Sequence, residues 1–290
     1  PEKSNISSFL TRLVYKLKKT CHNSDMANHK NFNGFTLAEV LITLGIIGVI
    51  AAITLPILIG NYHKHLVETK LKETYSILSQ MMLNSVAENG ESTNWDYPVY
   101  GDPNYKDSDF FDKYLAKYVK IIYSCPRVIF NNKQENYLCR NHHSSDFFNT
   151  ASGGKVNWSN LAENSRKYIL ANGTSFYIDT IWGHQIVDPN TGPYITFIVD
   201  LNINKNKALF GRDIFIFHYM NRTEKLISSR YMDWTGHNRS CSRLEANRNA
   251  VIEECRTGAL GTAGGGYDAG CTTLIMCNNW QIPNDYPVKF

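Results

Sequence analysis

The chain has 290 residues, 43% hydrophobic and 19% charged, with a formal net charge of +4. That length suits one domain of about 200 residues plus a long helix. The charge is too mild to point to a partner, and the absence of repeats at periods of roughly 20–50 residues excludes a solenoid.

In chain order, the first feature is a basic segment carrying Arg12, Lys16, Lys18, Lys19 and Lys30. From Val40 to Ile59 no residue is charged, and Ile, Leu, Val and Ala dominate. At about 1.5 Å per residue this run reaches roughly 30 Å, the thickness of a hydrocarbon core. The upstream cations place its N-terminal end in the cytoplasm, with the remainder of the chain facing outward. A cleaved signal peptide fits less well, because Ala51-Ala52 lie in mid-run and the apolar sequence continues past them. A buried core helix is the soluble alternative. Glu39 stands at the mouth of the run, where a carboxylate costs up to about 3 kcal/mol if it is carried to mid-bilayer. It either snorkels to the headgroups or does a job there.

Lys30-Asn31-Phe32-Asn33-Gly34, followed by Phe35-Thr36-Leu37-Ala38-Glu39-Val40-Leu41-Ile42, resembles the leader junction of type IV pilins and pseudopilins. The resemblance implies cleavage between Gly34 and Phe35 by a prepilin peptidase, then N-methylation of Phe35. It also implies that Glu39 meets the Phe35 amine of a neighbouring subunit when an inner-membrane assembly platform builds a fibre from the bilayer. Such a pair gains Coulomb energy in apolar surroundings and would set the register between subunits. Residues 1–34 then form the leader. Met26 opens a leader of conventional length, so residues 1–25 read as an over-extended start or a long leader.

Residues 35–59 are expected to span the membrane, 60–89 to continue the helix, and 90–290 to form the head. Pro56 should kink or loosen the span. His63 and His65 lie just past it and read as headgroup-facing. Val67, Leu71, Tyr75, Leu78, Met82 and Val86 recur at three- or four-residue steps, a core-facing stripe, and Asn89-Gly90 is a stop signal. After a loop over residues 90–107, a second helix is predicted at Ser108–Ile122 with Ser108 as N-cap and with Phe110, Phe111, Tyr114, Leu115, Tyr118, Val119 and Ile122 sharing its apolar face.

Strands are predicted at Thr174–Thr180, after an Asn172-Gly173 turn, at Tyr194–Asn202 and at Ile214–Tyr219, the last as a central strand. Ile195, Phe197, Val199 and Leu201 should share one face. Helices followed by antiparallel strands predict an α+β, pilin-like fold.

Residues 197–217, FIVDLNINKNKALFGRDIFIF, are similar to a strand–Asp-x-Asn-Gly–loop–Gly-x-Asp–strand pattern of pilin-like proteins, carried here by Asp200, Asn202, Gly211 and Asp213. Ile203 replaces the first glycine. Asp200, Asn202 and Asn204 are spaced as in some calcium loops, and a calcium site would use Asp200 and Asp213. Lys205 stands where an EF-type loop needs glycine, so a hairpin built on Asn and Asp is the alternative.

Leaving aside Cys21 in the leader, six cysteines remain: Cys125, Cys139, Cys241, Cys255, Cys271 and Cys277. An even number beyond a membrane span suggests disulfides. Proximity favours Cys125–Cys139, whose loop contributes roughly 3 kcal/mol in the entropic model. In the tail, Cys255–Cys271 closing a flexible Gly258–Gly270 loop, and Cys241–Cys277, are the preferred pairs. His142-His143 raise a zinc reading, but no Cys-x-x-Cys accompanies them.

No nucleophile elbow, phosphate loop or His-Glu-x-x-His occurs, so no enzyme is expected. A tip subunit binding DNA or a surface ligand is the alternative to a structural subunit. Residues 220–256 hold Arg222, Lys225, Arg230, Arg239, Arg243, Arg248 and Arg256, with Tyr231 and Trp234 able to stack on bases. Five carboxylates in the same stretch leave a surplus of only two positives, which argues against DNA.

Overall fold

A computed structural model describes residues 36–97, 107–125, 147–157, 166–180, 194–201, 208–228, 240–258 and 270–290. The chain divides into two units, Pro1–Thr54 and Leu55–Phe290.

Helix α1 (Leu37–Asn89) is the first element. Up to Thr54 its apolar side chains are exposed, among them Leu37, Leu41, Leu44, Ile47 and Val49. Among the described residues it is the one helix long and apolar enough to cross a membrane. Each exposed Å² of this surface would cost about 25 cal/mol in water and nothing in hydrocarbon. Thr43 Oγ1 donates to Val40 O at 2.9 Å and Thr54 Oγ1 to Ile50 O at 3.0 Å. These hydroxyls are therefore satisfied without water, as a bilayer interior requires.

In the second unit α1 runs through Pro56 and turns amphipathic. Leu71, Leu78 and Met82 are buried, with Val67, Tyr75 and Val86 half-buried against the same core. The predicted stripe and the predicted stop both hold: the helix ends at Asn89, and Gly90 N–H donates to Val86 O at 2.9 Å.

The stripe packs on an antiparallel sheet. Its strands are β1 (Ile121–Ser124), β4 (Tyr168–Leu170), β5 (Ser175–Asp179), β6 (Tyr194–Asp200), β7 (Ile214–Met220) and β8 (Lys225–Ile227), ordered β1-β4-β5-β6-β7-β8. A separate hairpin joins β2 (Phe147–Asn149) to β3 (Lys155–Asn157). Register places Ile178, Phe197 and Phe217 side by side, and Phe176, Val199 and Phe215 beside one another. These residues form the face that meets α1, where Tyr75 lies 5.5 Å from Phe217. Ile195, Phe197 and Val199 share that face, as their alternation predicts. The opposite face carries Thr196, Asp200 and His218, all buried. β5, β6 and β7 are buried along their whole length, so β7 is an interior strand as expected. The Asn172-Gly173 turn joins β4 to β5, with Gly173 N–H donating to Leu170 O at 3.1 Å.

The second helix differs from expectation. Helix α2 covers only Asp107–Tyr114, a short 3-10 turn follows at Ala116–Tyr118, and Ile121 and Ile122 belong to β1. Ser108 lies inside the first turn, its hydroxyl bonded to Asp109 rather than capping the helix. Pairing with β4 takes Ile121–Ser124 out of the helix, and Ile122, expected on the buried face, is 56% exposed. The aromatic half of the prediction stands: Phe111 stacks on Tyr168 at 3.9 Å, and Trp95 on Tyr114 at 4.7 Å.

Among the described residues, three short helices follow the sheet: α3 (Ser240–Ala246), α4 (Arg248–Thr257) and α5 (Gly270–Met276). Helix α5 covers β7 where β8 stops, Thr272 Oγ1 accepting from Ile216 N at 3.1 Å. The tail beyond α5 returns along α1. Trp280 packs 4.8 Å from Tyr75, and Ile282 N donates to Glu68 Oε1 at 2.8 Å.

Candidate functional site

The described residues begin one position after the expected cleavage point, so Gly34 and Phe35 lie outside them. Thr36 and Glu39 form a capping box at the start of α1. Glu39 Oε2 accepts from Thr36 N and from Thr36 Oγ1, both at 2.9 Å, and Thr36 Oγ1 accepts from Glu39 N at 3.3 Å. The Thr-x-x-Glu spacing is the usual signature of this motif, and reading Glu39 only as an intersubunit partner overlooked it. The carboxylate thus has an intramolecular role: it satisfies Thr36 N, a donor at the helix end without a helical partner of its own.

In the head, two of the expected disulfides are present. Cys241–Cys277 has Cα atoms 5.4 Å apart and Cys255–Cys271 has them 4.5 Å apart. Cys125 is buried and disulfide-bonded, while Cys139, its expected partner, lies outside the described residues. So do His142 and His143.

Asp200 and Asp213 both point to cations. Lys167 Nζ reaches Asp200 Oδ2 at 3.0 Å with both side chains fully buried. Asp213 Oδ2 accepts from Leu209 N at 2.9 Å and from Arg212 Nη2 at 2.8 Å, so it closes the β6–β7 connection as an Asp turn former does. Register sets Asp200 beside Ile214, and Leu201 N donates to Asp213 O at 2.8 Å, so the two residues are close in the fold. Asn202, Asn204 and Lys205 lie outside the described residues. No group of three or more metal-ligating side chains occurs among the described residues.

Gly211 is the tightest point of this connection. Its φ is +82°, and a Cβ there would fall inside 3.0 Å of Cys271 Sγ and of Val288 Cγ2. Tyr286 OH donates to Gly211 O at 2.5 Å. One glycine therefore joins the sheet, the Cys255–Cys271 bridge and the tail.

The basic stretch is neutralised in part where it is described, Arg222 and Lys225 being exposed. Arg248 forms a bidentate pair with Asp285 at 2.6 and 2.7 Å, and Arg256 pairs with Glu253 at 2.6 Å. Arg230, Tyr231, Trp234 and Arg239 lie outside the described residues.

Two buried groups escaped the sequence reading. Asp107 is buried at the start of α2 and accepts from Thr180 N at 3.0 Å and from Thr180 Oγ1. Burial, and then the charge of Asp179, hold its carboxyl well above the usual range. The other is Lys167. Neither has a local signal, because Arg166-Lys167 and Asp107-Ser108-Asp109 look like ordinary solvent-facing runs.

Comparison with known families gives two matches. Residues 57–290 match a family of unknown function (DUF6613), and residues 29–55 match the prokaryotic N-terminal methylation motif. No curated protein and no solved structure matches the chain. The second match covers the Gly34-Phe35 junction and the Thr36–Glu39 box, and is the prepilin motif of type IV pilins and pseudopilins. With the first match spanning most of its length, the chain belongs to the DUF6613 family, as a pilin-type subunit anchored by one apolar helix.

Proposed function

We propose that this chain is a structural subunit of a type IV pilus or of a type II secretion pseudopilus. A prepilin peptidase cuts between Gly34 and Phe35, and Phe35 is then N-methylated. The span inserts with its N-terminus cytoplasmic and its head periplasmic, and the assembly platform moves subunits from the bilayer into the fibre. On joining, the Phe35 amine of one subunit meets the Glu39 carboxylate of its neighbour. The observation that carries this reading is the methylation motif running into the start of a 53-residue helix that carries no charge from Val40 to Ile59. The capping box supports it, because it holds the carboxylate at the helix end instead of letting it wander to the headgroups.

The test is the mature N-terminus. Mass spectrometry of the membrane protein should find N-methylated Phe35, and Gly34→Val should accumulate precursor. A mature chain starting after Ala52 would mean an ordinary signal peptide and would overturn the proposal.

A further inference from the structure

The two tail bridges differ in what surrounds them. Cys255 and Cys271 are both fully buried and belong to the main core. Gly211 closes over Cys271 Sγ with no room for a Cβ, and on Gly270, the residue before Cys271, a Cβ would fall 2.8 Å from Val251 O. The Cys241–Cys277 bridge lies at the surface, with Cys241 exposed and Cys277 half-buried. Thiol–disulfide exchange needs a thiolate to approach the sulfur it attacks, so access alone separates the two bridges.

Helix α3 hangs on the outer bridge. Of its described side chains Leu244 alone is buried, while Ser242, Glu245 and Ala246 are exposed. Helix α4 starts afresh behind it. Asn247 has φ −151° and ψ 71°, outside the helical range, and its Oδ1 accepts from Ala250 N at 3.1 Å. That cap satisfies an end donor of α4 without help from α3. Buried Val251, the inner bridge and the Arg248–Asp285 pair keep α4 in place. Past Cys277, Trp280 stays on Tyr75 and Ile282 N on Glu68. One bond and one leucine therefore fix α3, and its neighbours are anchored without it.

We propose that Cys241–Cys277 is an exchangeable clasp: dithiol reductants open it while the inner bridge and the head stay intact, and its opening releases α3 with Leu244. The incoming thiolate bonds to the sulfur of Cys241, the more exposed residue. The S–S bond breaks, and Cys277 leaves as a thiolate that takes a proton from water. The reductant's second thiol then displaces Cys241. The reductant departs as a disulfide, and the protein has gained two electrons and two protons. The inference rests on the two bridges and needs neither the fibre nor the span.

The full chain in detergent, treated with dithiothreitol and no denaturant, supplies the test. Samples are quenched with N-ethylmaleimide and digested, and the label on each cysteine is read by mass spectrometry. Cys241 and Cys277 should label together. Cys255 and Cys271 should be slower by roughly a thousandfold or more, the population penalty for opening a stable head. Glutathione, a monothiol, should leave its adduct on Cys241. Amide exchange over residues 240–246 should rise once the clasp opens, while residues 248–257 stay as they were. Cys241→Ser with Cys277→Ser should reproduce that pattern without reductant. Labelling of all four cysteines at one rate overturns the proposal, as does an outer bridge that opens only in denaturant. So does unchanged exchange over α3 in the reduced wild-type chain, a measurement that depends on no variant folding. An adduct on Cys277 overturns the direction of attack.

Discussion

Replacing Gly211 by alanine tests whether the head is locked where sheet, disulfide and tail meet. Two costs add. A Cβ at φ +82° meets the backbone clash that L-residues suffer in the left-handed region, about 1–2 kcal/mol. The same Cβ would press on Cys271 Sγ and Val288 Cγ2, and overpacking of this kind costs about 1–3 kcal/mol. Neither neighbour yields easily, since Cys271 is held by its bridge and Val288 is buried. Displacing Tyr286 would add the hydrogen bond to Gly211 O, about 1 kcal/mol. The sum is about 3–6 kcal/mol. For a head of this size that lowers the melting temperature by roughly 6–24 °C. Gly173→Ala is the control, because Gly173 has φ +76° with nothing within 4 Å of its added Cβ. It should show only the backbone cost, roughly 2–8 °C. The assay is tryptophan fluorescence during thermal unfolding of the detergent-solubilised chain. If Gly211→Ala melts with Gly173→Ala, the close packing argued for this point is wrong.

Two other substitutions separate roles that a simple loss would merge. Glu39→Ala should leave processing intact but yield few fibres, because a buried amine without its partner costs about 3–5 kcal/mol. Glu39→Gln keeps an acceptor for the capping box and loses only the charge, so fibre counts beside blots for processed subunit should find it as defective as alanine. Normal fibres from Gln would reduce Glu39 to a cap. For Asp107 the sign follows from its raised carboxyl. The native state holds the proton longer than the unfolded chain, so this group's contribution is fullest below about pH 4 and fades as pH climbs toward its folded value. Asp107→Asn keeps an oxygen for Thr180 without a charge to desolvate, so it should flatten the pH dependence and raise stability at neutral pH. Asp107→Ala leaves Thr180 N unpaired and should lose about 1–3 kcal/mol. Denaturant titrations of the three chains across that pH range decide, and a neutral-pH loss in the Asn variant would refute the argument.

What could be read in advance was local. The stripe from Val67 to Val86 and the stop at Gly90 need only helical periodicity, and the face shared by Ile195, Phe197 and Val199 needs only alternation. The junction at Gly34-Phe35 and the Thr36–Glu39 spacing are contiguous motifs. What failed depended on distant partners. Ile121 and Ile122 continue the helical spacing of Phe111 and Tyr118, and only β4, more than forty residues on, converts them to strand. Lys167 reads as a surface lysine until Asp200 is brought to it across the sheet. Helices α3 and α5, seven residues each, are too short to show a period and owe their place to cystine bridges.

Those bridges are nested: the Cys255–Cys271 loop lies wholly within the Cys241–Cys277 loop. Of these four cysteines, a head exported from its N-terminal side presents Cys241 first and Cys255 next, fourteen residues later. Closing that shorter, wrong loop is easier than the native separation of 36 by roughly 1 kcal/mol of chain entropy. Oxidation in order of arrival would therefore join Cys241 to Cys255 and leave Cys271 to Cys277. The native pairing demands either that Cys241 stay reduced until the last cysteine is across, or that a thiol–disulfide exchange catalyst undo the first bond. The nested pairing thus makes the maturation of the head a matter of timing: its cystines must close late or be exchanged after closing.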